Sequence, residues 1–268
     1  MDGHDSADRF GIDTSVAHSA RIHNYWLGGK DNFAADRAAG DAVIAAYPGI
    51  VQSVRANRAF LARVARFLAA EAGVRQFLDI GTGIPAANNT HEVVHAAAPD
   101  ARVVYVDYDP VVLLHARTLL TSGASGAIDY IDADLRDPGT IVREAARTLD
   151  FSRPVAIMLI AIMHLIGDAD DPYGLVAQLT AAVPPGSYLA LSRSLPTSSP
   201  SRWPRRRGGT TGPPMSSSGT GRTPRCRGSS TASSWLIPVW WPCSTGGRGA
   251  RSRPAPSRRC GAASDASA

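Results

Sequence analysis

Residues 77–85 read Phe-Leu-Asp-Ile-Gly-Thr-Gly-Ile-Pro, a short apolar run that ends in two closely spaced glycines. This pattern predicts a buried β-strand followed by a loop, because glycine lets the backbone turn sharply and lets a ligand approach where a Cβ atom would clash. A Gly-x-Gly pair alone is weak evidence, since a tight turn between a strand and a helix has the same pattern. Evidence that this loop binds a ligand must therefore come from the surrounding sequence.

Short apolar runs and helical stretches alternate along the chain after this point. The candidate strands are 76–80, 102–106, 128–131, 154–162 and 187–191, and the candidate helices are 89–98, 110–121, 137–149 and 173–182. Upstream, an alanine-rich segment at 33–47 and apolar residues spaced by three and four from residue 51 onward predict two more helices. The chain is therefore predicted to be an α/β protein, with a mostly parallel sheet, helices on both faces and an N-terminal helical lid at 14–73.

Carboxylates follow the predicted strands at the edge where parallel sheets bind their ligands. Asp107 ends the second strand, 24 residues after Gly83, where a carboxylate can accept hydrogen bonds from ribose hydroxyls. Asp134 follows the third strand and precedes Leu135, which places an acceptor and an apolar side chain where an adenine ring can lie. Asp109 precedes a proline and is interpreted mainly as a helix cap.

The segments FLDIGTGIP, VVYVDYDP and DADLRD resemble the first three motifs of class I S-adenosylmethionine-dependent methyltransferases. The resemblance implies a Rossmann-like fold, S-adenosyl-L-methionine as the cofactor, and methyl transfer as the reaction. It implies that the glycine loop passes the methionine moiety, that the acid after the second strand holds the ribose, and that the third motif meets adenine. The cofactor-binding residues predicted in this way are Asp79, Gly81, Thr82, Gly83, Asp107, Tyr108, Asp134 and Leu135.

Residues 20–33 (ARIHNYWLGGKDNF) and 89–93 (NTHEV) are similar to an actinobacterial branch of these methyltransferases whose substrate is not established. That family typically has Arg-x-Tyr-Asp-Tyr before Leu-Gly-Gly-Lys-Asp-Asn, whereas this chain has His23 in place of the first Tyr and Asn24 in place of the Asp. The similarity runs from about residue 13 to 192 and implies no particular methyl acceptor.

Four further residues are candidates for the lid or for the substrate site. His164 lies just past the fourth predicted strand and can serve as a base, although a histidine with a structural role at a strand end fits the sequence better. Arg21, Tyr25 and Lys30 can form the lid or bind the cofactor carboxylate, and exposed residues without a catalytic part fit the sequence equally well. No catalytic residue is assigned.

Two alternative functions remain open from the sequence. Residues 81–86 also fit the dinucleotide fingerprint Gly-x-Gly-x-x-Ala, which is typical of NAD(P)-dependent oxidoreductases. The helical segment before the first strand and the lack of a second glycine fingerprint favour the methyltransferase. The other alternative is a cofactor-binding protein without catalysis, including an inactive relic.

Charge is divided unevenly along the chain. Residues 1–192 contain 15 Lys and Arg against 22 Asp and Glu, whereas residues 193–268 contain 13 Arg, no Lys and one acidic residue. The second part is rich in Ser, Arg, Pro and Gly, which is the composition that GC-rich DNA encodes when it is read out of frame. Such a segment has too little apolar surface to form a hydrophobic core. Back-translation with a shift of one base permits strand and helix patterns at 203–211 and 228–247 that resemble the C-terminal part of the same family. Residues 193–268 are therefore interpreted as a low-complexity, out-of-frame tail, and the C-terminal edge strands of the sheet are expected to be missing.

Composition also narrows the class of protein. The acidic start MDGHDSADRF does not resemble a targeting peptide, and the longest apolar run, 155–166, is too short to cross a bilayer, so a cytoplasmic protein without a membrane partner is expected. Residues 1–13 are predicted to be disordered, and 14–192 to form the methyltransferase domain.

The three cysteines lie 17 residues apart and predict no metal site. Since the motif-bearing part is acidic, a small-molecule substrate is expected and a nucleic-acid partner is not. The sequence leaves the oligomeric state open.

Overall fold

A computed structural model describes residues 12–121, 127–193 and 239–242 of the chain. The predictions for residues 1–11 and for most of the tail lie outside the described residues. Ile12, which the sequence places in the disordered N-terminus, is instead buried in a small cluster with Ile84 and Val112. The folded part therefore begins earlier than predicted, because this apolar side chain finds a partner surface beside the glycine loop.

Seven helices and six strands are assigned within the described residues. The helices are α1 (Ser19–Trp26), α2 (Ala34–Ala46), α3 (Ile50–Ala70), α4 (Thr90–Ala97), α5 (Pro110–Thr121), α6 (Pro138–Ala145) and α7 (Pro172–Ala181). The strands are β1 (Gln76–Ile80), β2 (Arg102–Asp107), β3 (Ile128–Asp132), β4 (Ala156–Ile160), β5 (Tyr188–Ser192) and β6 (Val239–Pro242). Two short 3-10 turns, Met163–Leu165 and Asp168–Asp170, follow β4.

The six strands form one sheet in the order β3-β2-β1-β4-β5-β6. The first five are parallel, which confirms the predicted α/β class, and the order reverses between β1 and β4. Ligands of such sheets bind at this reversal point, outside the carboxyl ends of the strands. β4 ends at Ile160, two residues earlier than predicted, because Ala161 takes a left-handed conformation with φ 58° that interrupts an extended strand.

The expectation that the C-terminal edge strands are missing is corrected in one respect. β6 pairs antiparallel with β5, with Ala190 opposite Trp240, and so covers part of the edge that was expected to be open. The Val-Trp-Trp sequence has the β-branched and aromatic residues that favour strands, and backbone pairing needs only an extended segment. The rest of the tail lies outside the described residues.

Apolar side chains cover both faces of the sheet. Alternate residues of β1 point to opposite faces, so Phe77 packs with α3 residues such as Leu68, and Leu78 packs with residues of α6 and α7 such as Ile141 and Leu179. Burying each of these large side chains contributes about 1.5 to 3 kcal/mol. This two-sided burial holds the carboxyl ends of β1, β2 and β4 in fixed positions, which is where the predicted ligand residues lie.

The predicted N-terminal lid consists of α1, α2 and α3. Ile22 and Trp26 of α1 pack against Val54 of α3 in a cluster separate from the cores of the sheet. α1 is thereby placed next to the glycine loop. Among the helices in the described part of the chain, none is both long and apolar enough to cross a membrane.

Candidate active site

A cavity of about 710 Å³ lies at the carboxyl ends of the strands, between the loops after β1 to β4 and the helices α1 and α3. Its volume falls within the range of roughly 300 to 1,000 Å³ that is usual for small-molecule sites. The structure brings nine of the twelve sequence-predicted residues to its walls. They are Asp79, Gly81, Thr82, Gly83, Asp107, Tyr108, Asp134, Leu135 and His164. Arg21, Tyr25 and Lys30 are not among the lining residues.

The glycine loop needs its glycines for conformation and for space. Gly81 and Gly83 have φ angles of +74° and +67°, a region that side-chain-bearing residues rarely adopt. A Cβ atom on Gly81 would overlap the side chain of Ile162, whereas one on Gly83 would meet no other atom within 4 Å. Gly81 therefore allows the loops after β1 and β4 to touch, and Gly83 leaves open space in the cavity.

Asp107 connects the end of β2 to the glycine loop. Its carboxylate accepts hydrogen bonds from the backbone N–H groups of Gly83 (2.8 Å), Tyr108 (2.8 Å) and Asp109 (3.0 Å). Burial raises the pKa of Asp107, and the hydrogen bonds from Asp109 and Gly83 oppose that effect. Three of about four acceptor positions are used in this way, so the carboxylate has capacity left for a ligand hydroxyl.

Asp79 lies in β1 and is only 3% exposed. It accepts a hydrogen bond from the Thr90 hydroxyl (2.6 Å), and burial raises its pKa to about 6, although Thr90 and the Arg58 guanidinium act in the opposite direction. Arg58, from α3, also lines the cavity and donates to the carbonyl of Ala86 (2.9 Å) and the side chain of Asn89 (2.7 Å). A buried carboxyl group and a half-buried guanidinium cation thus line the same cavity as the glycine loop.

Asp134 and Leu135 follow β3, as the sequence predicts. Leu135 is buried, while Asp134 accepts from the Arg136 backbone (2.9 Å) and pairs with the Arg136 guanidinium (3.0 Å). Arg136 also pairs with Asp170 (3.2 Å) from the second 3-10 turn after β4. Arg136 thereby joins the loops after β3 and β4 at the cavity wall, and its contact with Asp134 occupies part of the acceptor capacity of that carboxylate.

Arg21 anchors the lid and does not reach the cavity. Its guanidinium is buried, donates to the Asp13 carbonyl (3.0 Å) and lies 3.4 Å from Asp109 and 3.8 Å from Asp36. The centroid of the Phe33 ring lies 5.5 Å from Arg21 Cζ, which adds a cation–π contact. These buried partners hold Arg21 inside the lid, which makes it unavailable to a ligand.

Tyr25 and Lys30 also lie away from the cavity. The Tyr25 hydroxyl donates to Asp41 (2.7 Å) on the outer side of the lid, and this contact raises the pKa of the phenol. Lys30 is exposed. The lid residues that do line the cavity include His18 and His23, which the sequence motifs did not single out as ligand-binding residues.

Asp109 has the cap role interpreted from the sequence and a second role as well. One carboxylate oxygen accepts from the Val111 N–H in the first turn of α5 (2.8 Å), and the other lies 2.6 Å from His18 Nδ1. Burial alone would raise the pKa of Asp109, but the hydrogen bond from His18 and the charges of His18 and Arg21 lower it below the usual value. The end of β2 is thereby tied to the start of α1.

His164 lies in the 3-10 turn Met163–Leu165 and lines the same cavity as the lid residue His23. Burial lowers the pKa of His164 to about 4, with a smaller effect from Arg193. Burial likewise lowers the pKa of His23 to about 4, and the charges of Arg58 and His164 add to this effect. Both rings are therefore neutral at pH 7.

Several lining residues were missed from the sequence, including His23, Asn57, Arg58 and Ile162. Asn57 and Arg58 sit within a regular amphipathic helix, and nothing in its periodicity separates a cavity-facing polar residue from a solvated one. The one signal for His23 was its place in the lid segment, as a departure from the family pattern. Within the described residues no cluster of His, Cys, Asp or Glu is arranged to hold a metal ion.

Comparisons with known proteins agree with this geometry. The family model described as S-adenosyl methyltransferase matches residues 5–211. Among solved structures, the chain is similar to a DUF574 family protein from Streptomyces avermitilis MA-4680, with 49% identity, a TM-score of 0.66, and coverage of 68% of this chain and 70% of that one. It is also similar to a putative methyltransferase from Thermobifida fusca YX, with 45% identity, a TM-score of 0.66 and 71% coverage of each chain. No curated protein matches. The parallel sheet, the glycine loop and the match over most of its length show that the chain belongs to the actinobacterial S-adenosyl methyltransferase family, with the Rossmann-like class I fold.

Proposed function

We propose that this protein binds S-adenosyl-L-methionine and transfers its methyl group to a small-molecule acceptor. The observation that carries the proposal is the convergence of all eight predicted cofactor residues on one cavity, at the point where the strand order reverses. The cavity has the size of a small-molecule site and is roofed by α1, which favours a compact acceptor over a polymer.

The groups present in the cavity fit the chemistry of this cofactor. Asp107 has acceptor capacity for ribose hydroxyls, and Tyr108 and Leu135 offer flat and apolar surfaces to an adenine ring. Asp79 and Arg58 carry opposite charges, which suit the ammonium and carboxylate groups of a methionine moiety. When bound, S-adenosylmethionine supplies a methyl group on a positively charged sulfur.

The contribution of the protein is to position the acceptor and exclude water. Methyl transfer is an in-line displacement with a good leaving group, so holding the acceptor atom at roughly 3 to 3.5 Å from the methyl carbon is the main requirement. Residues of α1 and of the loop after β4 line the cavity and would shield part of a bound acceptor from water.

Calorimetric titration of S-adenosylmethionine into the full chain tests the proposal. Asp107→Ala is expected to weaken binding at least tenfold, because a buried carboxylate that accepts ligand hydroxyls is lost. Asp132→Ala is the matched control, since Asp132 pairs with Asp107 in the sheet register but is exposed and does not line the cavity. Equal losses in the two variants, or no binding by the unaltered chain at any concentration tested, would refute the assignment.

Two alternatives are tested in the same experiment. Binding of NAD⁺ or NADP⁺ in preference to S-adenosylmethionine would favour the oxidoreductase suggested by residues 81–86. Tight cofactor binding without transfer of label from methyl-labelled cofactor to any acceptor tested would favour the relic without catalysis.

We also propose that residues 193–268 derive from a displaced reading frame. In addition to the composition, 32% of this chain and 30% of the matched Streptomyces structure lie outside their alignment. Resequencing the coding DNA around codons 190 to 200 tests the proposal directly. If the frame is displaced, we expect the restored chain to bind S-adenosylmethionine more tightly than the present one, and equal tight binding would contradict that consequence.

A further inference from the structure

The strand order divides the cavity lining into two parts. The loops after β2 and β3 supply Asp107, Tyr108 and Leu135 on one side of β1, and these are the residues that suit a nucleoside. The loop after β4 supplies His164 on the other side of β1, and α1 supplies His23. This second part has no role in the cofactor binding proposed above.

His23 and His164 have ring nitrogens without partners. His23 Nε2 and His164 Nδ1 are shielded from solvent and make no hydrogen bond to any residue in the described part of the chain. Nearly all buried polar atoms in folded proteins have a partner, and an unpaired one costs about 1 to 3 kcal/mol. Among the residues that the structure describes, no carboxylate or carbonyl is hydrogen-bonded to these two nitrogens, so each ring can present a donor or an acceptor to a ligand there.

The backbone that carries His164 is held in place by other buried contacts. Ala161, at the end of β4, has φ 58°, and its N–H donates to the Ser192 hydroxyl (3.0 Å). Ser192 in turn donates to Asn57 of α3 (2.6 Å). A non-glycine residue in this conformation costs of order 1 to 3 kcal/mol, and such strain is concentrated at functional sites. Here it directs the chain from β4 into the turn that contains His164.

The hydrogen-bonding capacity of the two rings selects the class of ligand. A neutral imidazole has one donor and one acceptor, and a hydroxyl group, with one donor and two acceptor positions, can bind an accepting ring and a donating ring at the same time. An ammonium group only donates and a carboxylate only accepts, so either one would need both rings to take the same tautomeric role and would also bring a charge into this part of the cavity. The lowered pKa values of both histidines also show that burial disfavours charge in this part of the cavity.

We propose that His23 and His164 form the acceptor subsite of this cavity and bind an uncharged hydroxyl compound; this rests on the methyl transfer proposed above. One imidazole accepts the hydroxyl proton, and the other donates to the hydroxyl oxygen. In the transfer, the hydroxyl oxygen forms the new bond to the methyl carbon as the sulfur–carbon bond breaks and its electron pair stays on sulfur. The hydroxyl proton passes to the accepting imidazole nitrogen and then to solvent.

Phenol, benzylamine and benzoate serve as probes of the same ring size with neutral, cationic and anionic groups. Each is titrated by calorimetry into the full chain with and without S-adenosylhomocysteine. We expect phenol to bind at least tenfold more tightly than either charged probe. His23→Phe and His164→Phe, which keep a ring but remove its nitrogens, are each expected to weaken phenol binding at least tenfold and to leave S-adenosylhomocysteine binding within threefold.

His115→Phe is the matched control, because His115 is partly exposed, pairs with Asp31 (3.5 Å) and does not line the cavity. It is expected to leave phenol binding unchanged. His164→Gln, which restores a donor and an acceptor, is expected to recover most of the affinity and so to separate hydrogen bonding from packing. Phenol binding that is unaffected by both Phe variants, or a charged probe that binds as tightly as phenol, would overturn the subsite. Loss of S-adenosylhomocysteine binding by the unaltered chain, with phenol binding still dependent on the histidines, would overturn the proposed cofactor and leave the hydroxyl-binding pair in place.

Discussion

Replacement of Asp79 by asparagine is expected to stabilise the protein without ligand while weakening its cofactor site. Asp79 is buried below the glycine loop, and burial raises its pKa from 3.8 to about 6. The folded protein therefore disfavours the ionised carboxylate. Asparagine has a similar shape, carries no charge, and still offers an oxygen to the Thr90 hydroxyl, which donates to Asp79 in the structure.

The size of the effect follows from the two pKa values. A rise from 3.8 to about 6 corresponds to about 3 kcal/mol of lost stability once the carboxylate is ionised in both the folded and unfolded states. Because the folded-state pKa is raised, the stability associated with the protonated group is fully present below pH 3.8 and is lost as the pH rises through 6. Asp79→Asn should therefore raise the free energy of unfolding by about 3 kcal/mol at pH 7 to 8 and by about half of that at pH 5.

Urea unfolding at several pH values between 5 and 8 measures this difference. Asp132→Asn is a suitable control, because Asp132 is exposed and its replacement should change the free energy of unfolding by less than about 0.5 kcal/mol. A gain that does not depend on pH, or a loss of stability at pH 8, would refute the reasoning. Calorimetry on the same variant should show at least a tenfold loss of S-adenosylmethionine affinity, because the ammonium group loses its charged partner. For the unaltered chain, that affinity should fall below pH 6 as Asp79 takes up a proton.

Two further substitutions test the lid and the glycine loop. Asp109→Ala breaks the 2.6 Å contact with His18 and removes the cap of α5. We therefore expect the free energy of unfolding to fall by about 3 kcal/mol, which lowers the melting temperature measured by calorimetry by roughly 6 to 12 °C. An unchanged melting temperature would show that the contact does not stabilise the lid. Gly81→Ala should destabilise more than Gly83→Ala, because both have positive φ but only the Cβ at Gly81 meets Ile162, and equal losses in thermal unfolding would contradict this packing argument.

Much of the fold could be predicted because its signals are local. The strand at 76–80 and the helix at 110–121 were predicted with the bounds that the structure has, since a buried parallel strand is a continuous apolar run and a proline marks the start of the helix. The fourth strand was predicted too long, because 155–162 is apolar throughout and composition does not reveal the left-handed turn at Ala161. The antiparallel strand β6 was missed because its sequence lies within a segment whose composition argued against order.

The residues of the candidate site likewise fall into those that could be predicted from the sequence and those that could not. Residues on the strand ends, such as Asp107 and Leu135, were found because the sheet fixes where a strand end points and because the family motifs mark them. The contribution of the helices depends on how α1 and α3 rotate against the sheet, which is a property of long-range packing. The sequence offered Arg21 as a cofactor-binding candidate and did not offer His23. In the structure, however, the Arg21 side chain is buried inside the lid and His23 lines the cavity.

The lid and the proposed cofactor site meet at a single short segment. Asp107 and Asp109 are two residues apart at the end of β2, and the Asp109 N–H donates to the same Asp107 oxygen that accepts from Tyr108. Asp107 lines the cavity, while the Asp109 carboxylate holds His18 at the start of α1. Any shift of this segment therefore moves the ribose-binding candidate and the anchor of the lid together. Because α1 also carries His23, the position of the proposed acceptor subsite depends on the same anchor.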